Sequence, residues 1–147
     1  MRFHFRLQNI LNLRKHEEEL SKVEYLKEKA ELEKQREILK KMEGEYREFL
    51  DQVERDFNRI VESGLAMSYK MEEKLWEERL RKQRDIIREQ ERVVEEKLKL
   101  YDKNKMEVKK LEKLREKEFN RVRKESIRKE NYFLDEVGLN VRKDKID

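Results

Sequence analysis

Apolar residues recur at every seventh position along two long stretches of this chain, and the recurrence breaks once, at Ser63-Gly64-Leu65-Ala66-Met67-Ser68. The first stretch carries Tyr25, Leu32, Leu39, Tyr46, Val53 and Ile60 at sevens. Met42 and Phe49 follow two of these by three residues, and Leu50 with Phe57 widens the stripe. The second carries Leu80, Ile87, Val94, Tyr101, Val108 and Val122, with Arg115 interrupting. Such spacing is that of the a and d positions of a coiled coil. Upstream, Leu7, Ile10, Leu11, Leu13 and Leu20 continue the helical pattern in a register that reads as shifted.

No proline occurs, and glycine occurs only at 44, 64 and 138, so the segment around Gly64 is the one strong interruption. Half of the 147 residues are charged and 35% are hydrophobic. That composition supplies an apolar seam between helices, and it lacks the mass of apolar residues that walls an enclosed pocket. Gly64 suits the position just past a helix C-terminus, and Ser68 is a candidate N-cap for the next helix. A short connection between long helices makes them antiparallel neighbours.

The expected fold is therefore all-α, a long antiparallel two-helix coiled-coil hairpin. Helix 1 is expected over about 4–62, the turn over 63–68 and helix 2 over about 69–137. Together they form a single domain, 1–138, followed by a charged flexible tail, 139–147. Reflection about residue 65 sets Tyr46 opposite Asp85–Ile87, Leu32 opposite Leu98 and Tyr25 opposite Met106. Glu28, Gln35 and Asp56 on helix 1, and Gln83, Gln90, Lys97 and Asn104 on helix 2, fall at seam positions. Polar residues there fix register at a cost in stability.

The chemistry of sites is sparse. Without cysteine, disulfides, thiolate catalysis and cysteine metal sites are excluded. His4 and His16 lie twelve apart with no third ligand nearby, and the three glycines build no phosphate loop. The Glu and Lys pairs read as a solvated helix face. Neither enzymatic activity nor a cofactor nor a metal is expected. No run of about 18 apolar residues is present to span a membrane, and Met1–Leu13 lacks the apolar core of a secretory signal, so a soluble intracellular protein is expected.

Charge is uneven along the chain. Residues 1–16 hold four basic residues and no acid, residues 99–129 hold 13 basic and 6 acidic, and residues 51–80 hold 5 basic and 8 acidic. Folding the chain in half brings the two basic stretches together. Glu107, Glu112, Glu116, Glu118 and Glu125 interleave with the second of them, which argues against a phosphate track, so nucleic acid is not an expected partner.

Three stretches carry more apolar residues than a seam needs. The first is Phe3-x-Phe5-x-Leu7-x-x-Ile10-Leu11-x-Leu13-Arg14. On a helix, Phe3 and Phe5 cannot share a face, so one is expected to be exposed. The second is the turn region, where Met67, Tyr69, Met71, Leu75 and Trp76 crowd. The third is Arg128 to Glu136, with Tyr132, Phe133 and Leu134 consecutive.

The opening pattern at 3–14, the stretch Glu107 to Phe119 and the ending Leu134-Asp135-Glu136 resemble the flagellar export protein family FliJ, over residues 1 to about 137. The resemblance implies a component of the bacterial flagellar type III protein export apparatus, hence of motility. Its hairpin would be similar to the central stalk of rotary ATPases, and it would be cytoplasmic, held peripherally at the inner membrane through that apparatus. It implies three partners: the hexameric export ATPase ring, the cytoplasmic domain of the export gate, and export chaperones. On that reading Phe3, Phe5, Leu7, Leu11 and Arg14 meet the ring, while Met71, Leu75 and Trp76 meet the gate. A monomer is expected. The equivalent stalk of a virulence secretion system and a generic coiled-coil scaffold are the alternatives.

Overall fold

The computed structural model describes residues 2–146, and the side chains of residues 2–142. Three helices account for nearly all of it: α1 (Gln8–Arg55), α2 (Phe57–Glu62) and α3 (Ala66–Ile146). No strand occurs among the described residues. The fold is a helical hairpin in which α1 and α3 pack antiparallel. The chain divides into two compact units, Met1–Leu20 with Asp102–Asp147, and Ser21–Tyr101.

Burial follows the heptads. On α1 the sheltered positions recur from Leu11 through Tyr25, Leu32, Leu39, Tyr46 and Val53, and the series ends at Ile60 in α2. On α3 they recur through Leu80, Ile87, Val94, Tyr101 and Val108. The α1 register does not shift upstream. Leu11 stays on the seam, whereas Ile10, Leu13 and Leu20, which the sequence placed in the same pattern, are exposed.

Polar seam positions on α3 reach across to α1 in the second unit. The Gln83 side-chain amide donates to the backbone carbonyl of Gln35 at 3.0 Å and to its side-chain oxygen at 2.8 Å. One heptad on, Gln90 repeats the arrangement on Glu28, with 2.9 Å to the carbonyl and 2.7 Å to the carboxylate. Leu32 and Ile87 are buried between these two layers. In the first unit Asn104 donates to the Glu17 carbonyl at 3.4 Å. Among the described residues no buried side-chain polar atom lacks a partner, so desolvating these layers carries little of the penalty of unmet bonds.

These bonds correct the facing pairs. Tyr46 stacks near Trp76 (6.1 Å between centroids) and Tyr25 near Tyr101 (6.2 Å), several residues nearer the turn than reflection about residue 65 predicts. Simple reflection ignores which residues share the seam face. Met106 and Leu98, the expected partners of Tyr25 and Leu32, point off that face and are exposed. Cross-helix ion pairs join Arg36 to Glu91 (3.7 Å) and Arg84 to Glu43 (3.8 Å). Their members are about half exposed, so each contributes at most about 1 kcal/mol, less than one buried seam leucine.

At the reversal, Gly64 has φ 76°. The Leu65 N–H bonds the Ile60 carbonyl at 3.2 Å and the Gly64 N–H bonds the Val61 carbonyl at 3.3 Å, the paired bonds of a Schellman C-cap. Leu65, just past the glycine, and buried Ile60 are the pair whose apolar contact commonly accompanies this motif. α3 then begins at Ala66, so Ser68 lies inside the helix and does not cap it.

Three element bounds differ from expectation. α1 stops at Arg55, where Asp56 departs from helical dihedrals at φ −99°, ψ 14°. The backbone bonds still run through it, from the Asp56 N–H to the Gln52 carbonyl at 3.0 Å and from the Ile60 N–H to the Asp56 carbonyl at 2.9 Å. The N-terminal residues before Gln8 are not helical. Finally, α3 runs through Gly138, whose φ is not positive and whose added Cβ would meet nothing within 4 Å. Isolated glycine weakens a helix by about 1 kcal/mol without ending it. The segment expected as a flexible tail is thus helical to Ile146, and Asp147 lies outside the described residues.

Replacing Gly64 with alanine meets open space but forces a side chain into positive φ. The expected loss is about 1 kcal/mol, seen as a lower urea midpoint at unchanged slope. By contrast, Gln83→Leu with Gln90→Leu is expected to raise the thermal midpoint while admitting other registers. Spin labels at positions 25 and 101 would then report several distances where the native chain reports one.

Candidate functional site

In the first unit residues 2–5 are not helical, Arg6 and Leu7 form a turn closed by the Gln8 N–H on the Phe5 carbonyl at 3.0 Å, and burial alternates, with Arg2, His4 and Arg6 exposed and Phe3 and Phe5 sheltered. Phe3 and Phe5 therefore both turn toward α3, where a helix would have parted them. The Phe3 ring meets Phe119 edge to face at 5.3 Å, and the Arg115 guanidinium lies 5.4 Å from its centre. Arg115, which interrupts the heptad, also donates from Nε to the Gln8 side chain at 3.1 Å. Phe5 is buried with Leu11 and Val108, and Phe3, Leu7 and Leu111 pack around them. Leu11 is 1% exposed.

Phe5 and Leu11 are thus buried within the chain, and Phe3 and Leu7 are partly buried beside them. Of the residues assigned to the first surface, Arg14 alone is exposed. It pairs with Glu17 at 2.9 Å, with Ile10 and Leu13 exposed nearby on α1. A shallow hollow of about 350 Å³ opens beside the cluster, lined by His4, Phe5, Arg6, Leu7, Leu114 and Glu118.

The turn region of the second unit is built differently. Met67, Met71 and Leu75, spaced by four, form a row on the side of α3 turned away from α1, each more than half exposed. Phe57 and Val61, also spaced by four, form a second outward pair on α2, each more than half exposed. Phe57, expected to widen the seam, lies outside it: it falls four residues after Val53 on an unbroken heptad, as exposed Leu50 falls four after Tyr46. Trp76 is half-buried: one side approaches Tyr46, and the Arg79 guanidinium lies 5.3 Å from its ring. The Tyr46 hydroxyl donates to Glu77 at 3.4 Å. Desolvation, then the Glu77 and Glu73 carboxylates, push its pKa above the usual phenol value.

Besides the cross-helix pairs, the ion pairs among the described residues are exposed i,i+3 and i,i+4 ones such as Arg81–Glu78 and Arg92–Glu96. Glu78 and Glu89 are held below the ordinary carboxylate range by hydrogen bonds from Arg81 and Arg92. Among the described residues no group of three or more His, Asp or Glu could hold a metal ion. No helix of the described residues is long and apolar enough to cross a membrane. The arrangement offers surfaces for other macromolecules, with rows of apolar side chains on a helical frame.

This defines a class, the all-α helical hairpin built on a heptad seam. Residues 3–142 match the family model described as Flagellar FliJ protein. The chain belongs to that family and is thus a flagellar export-related protein. No curated protein and no solved structure matches it significantly.

Leu11→Ala removes the most buried side chain of the first unit. The expected cost is about 2–5 kcal/mol, measured by chemical denaturation, with the Phe3 clamp loosened as well.

Proposed function

We propose that this hairpin is a stalk-like, cytoplasmic component of the flagellar export apparatus, held at the inner membrane by its partners. The family match across nearly the whole chain, on a helical hairpin, carries this reading. In it, the first unit engages the export ATPase ring. The turn region, through Met71, Leu75 and Trp76, engages the cytoplasmic domain of the export gate, and export chaperones bind along the helices.

The exposure pattern refines the roles of individual residues. Phe3, Phe5, Leu7 and Leu11 hold the N-terminal segment on α3 and so present the outward residues Ile10, Leu13 and Arg14. Buried side chains shape a contact surface, and exposed ones make the contact. At the turn, Met71 and Leu75 are the exposed anchors, and Trp76 offers only one face.

Leu13→Ser with Arg14→Ala is expected to lower stimulation of the cognate export ATPase several-fold while helical ellipticity stays unchanged. Full stimulation would retire the assignment of the first unit. Met71→Ala with Leu75→Ala is expected to weaken capture of the gate domain at least tenfold, about 1.4 kcal/mol or more, and leave ATPase stimulation intact.

A further inference from the structure

The outer side of α3 carries its charges in two different ways. With Leu80, Ile87, Val94, Tyr101 and Val108 at a, that side is formed by the c and f positions, with g along one edge. In the second unit these positions from Lys82 to Leu100 hold three cations and three acids, and Arg92 pairs with both Glu89 and Glu96. In the first unit the same positions from Lys103 to Arg128 hold seven cations and one acid, Glu107. Lys103, Lys110, Lys117 and Lys124 recur at sevens, with Lys113 beside them on one side and Arg121 and Arg128 on the other. All seven are exposed.

Six of the seven, Lys110, Lys113, Lys117, Arg121, Lys124 and Arg128, follow one another at intervals of three and four residues. That spacing pairs opposite charges elsewhere on α3. Here it sets like charges side by side, which destabilises the helix that carries them. Lys110 reaches Glu107 at 3.7 Å, and Arg121 reaches Glu118 at 3.0 Å and Glu125 at 3.2 Å. Lys103, Lys113, Lys117, Lys124 and Arg128 enter no ion pair among the described residues. The uncharged residues on the same side are Met106, Leu114, Asn120 and Ile127, all exposed.

We propose that this side of α3 lies along the surface of an anionic phospholipid bilayer, held by attraction to lipid phosphate without insertion. Clusters of about four to eight basic residues on a helix face are drawn to such surfaces. The stripe runs about 38 Å, and neither proline nor glycine falls between Lys103 and Arg128 to bend it. A plane meets an arc of about 100° along that whole length. A nucleic-acid groove has phosphates on both sides of a helix, and it would press on Glu116 at one flank and on Glu118 and Glu125 at the other. Five of the seven cations are lysine, whose compact charge on a flexible stem suits a mobile layer of headgroups, whereas the fork of arginine suits fixed phosphates. Met106, Leu114 and Ile127 add exposed apolar area for the headgroup boundary. The contact is direct and does not rest on the partner-held association proposed above.

Cosedimentation of the full chain with phosphatidylcholine vesicles, with and without about 30% phosphatidylglycerol, reads this contact. Binding is expected only on the anionic vesicles at about 20 mM sodium chloride, and its loss is expected at about 300 mM. Lys113→Gln with Lys117→Gln and Lys124→Gln is expected to weaken it about tenfold or more. Lys74→Gln with Lys82→Gln and Lys99→Gln removes as much charge from the second unit and is expected to change it less than about twofold. No binding at low salt overturns the proposal. So does an equal loss in the two variants, which would reflect net charge alone. Duplex DNA binding that depends on the arc lysines and outlasts vesicle binding as salt rises overturns it in favour of nucleic acid. Vesicle binding left unchanged by the arc variant overturns it too, and a simultaneous fall in ATPase stimulation would assign the arc to an acidic protein surface.

Discussion

The hairpin depends on a register that its apolar residues alone do not specify. Leucine, isoleucine and valine repeat at sevens on both helices, so sliding one helix by a heptad would still bury a seam. Gln83 and Gln90 remove that freedom. Each carries an amide that reaches both a backbone carbonyl and a side-chain oxygen on α1, and a slip would leave those donors facing other groups. The glycine turn states where the chain reverses, and the glutamine layers state which residues then meet. Neither device suffices without the other.

A seam between two helices shelters one stripe of each and leaves the remaining circumference in water. Apolar residues off that stripe therefore have no intramolecular use. In a globular domain such residues would vanish into a core, but here Met67, Met71, Leu75, Phe57 and Val61 stand in the open. This gives physical content to membership in a family of export components, whose work is contact with other proteins. It also explains why the ion pairs, though numerous, say little about function: they are what a solvated helix surface carries in any case.

Much of the fold is legible in the residues. The seven-residue spacing marks both helices, Gly64 marks the reversal, and the polar seam positions are visible as breaks in the apolar series. What stays hidden depends on local conformation. Two phenylalanines spaced by two mean divergence on a helix and convergence on an extended strand, and nothing in Phe3-His4-Phe5 itself decides between them. Gly138 resembles Gly64 as a letter, yet only Gly64 adopts positive φ. For the candidate surfaces, Met71 and Leu75 were readable as excess apolar residues, and spacing by four would have added Phe57 and Val61. Phe5 and Leu11 read as contact residues from the apolar excess at 3–14 and from the family resemblance; the burial of Leu11 follows once it is set seven residues ahead of Glu18 on an unbroken heptad.

The N-terminal clamp has a kinetic consequence. Ile60 and Leu65, at the reversal, are five residues apart, whereas Phe3 and Phe119 are separated by more than a hundred. Closing a loop that long costs more chain entropy than closing a short one, so pairing nucleates at the reversal and zips away from it. The aromatic clamp is then the last tertiary contact to form and the first to be lost on transient opening.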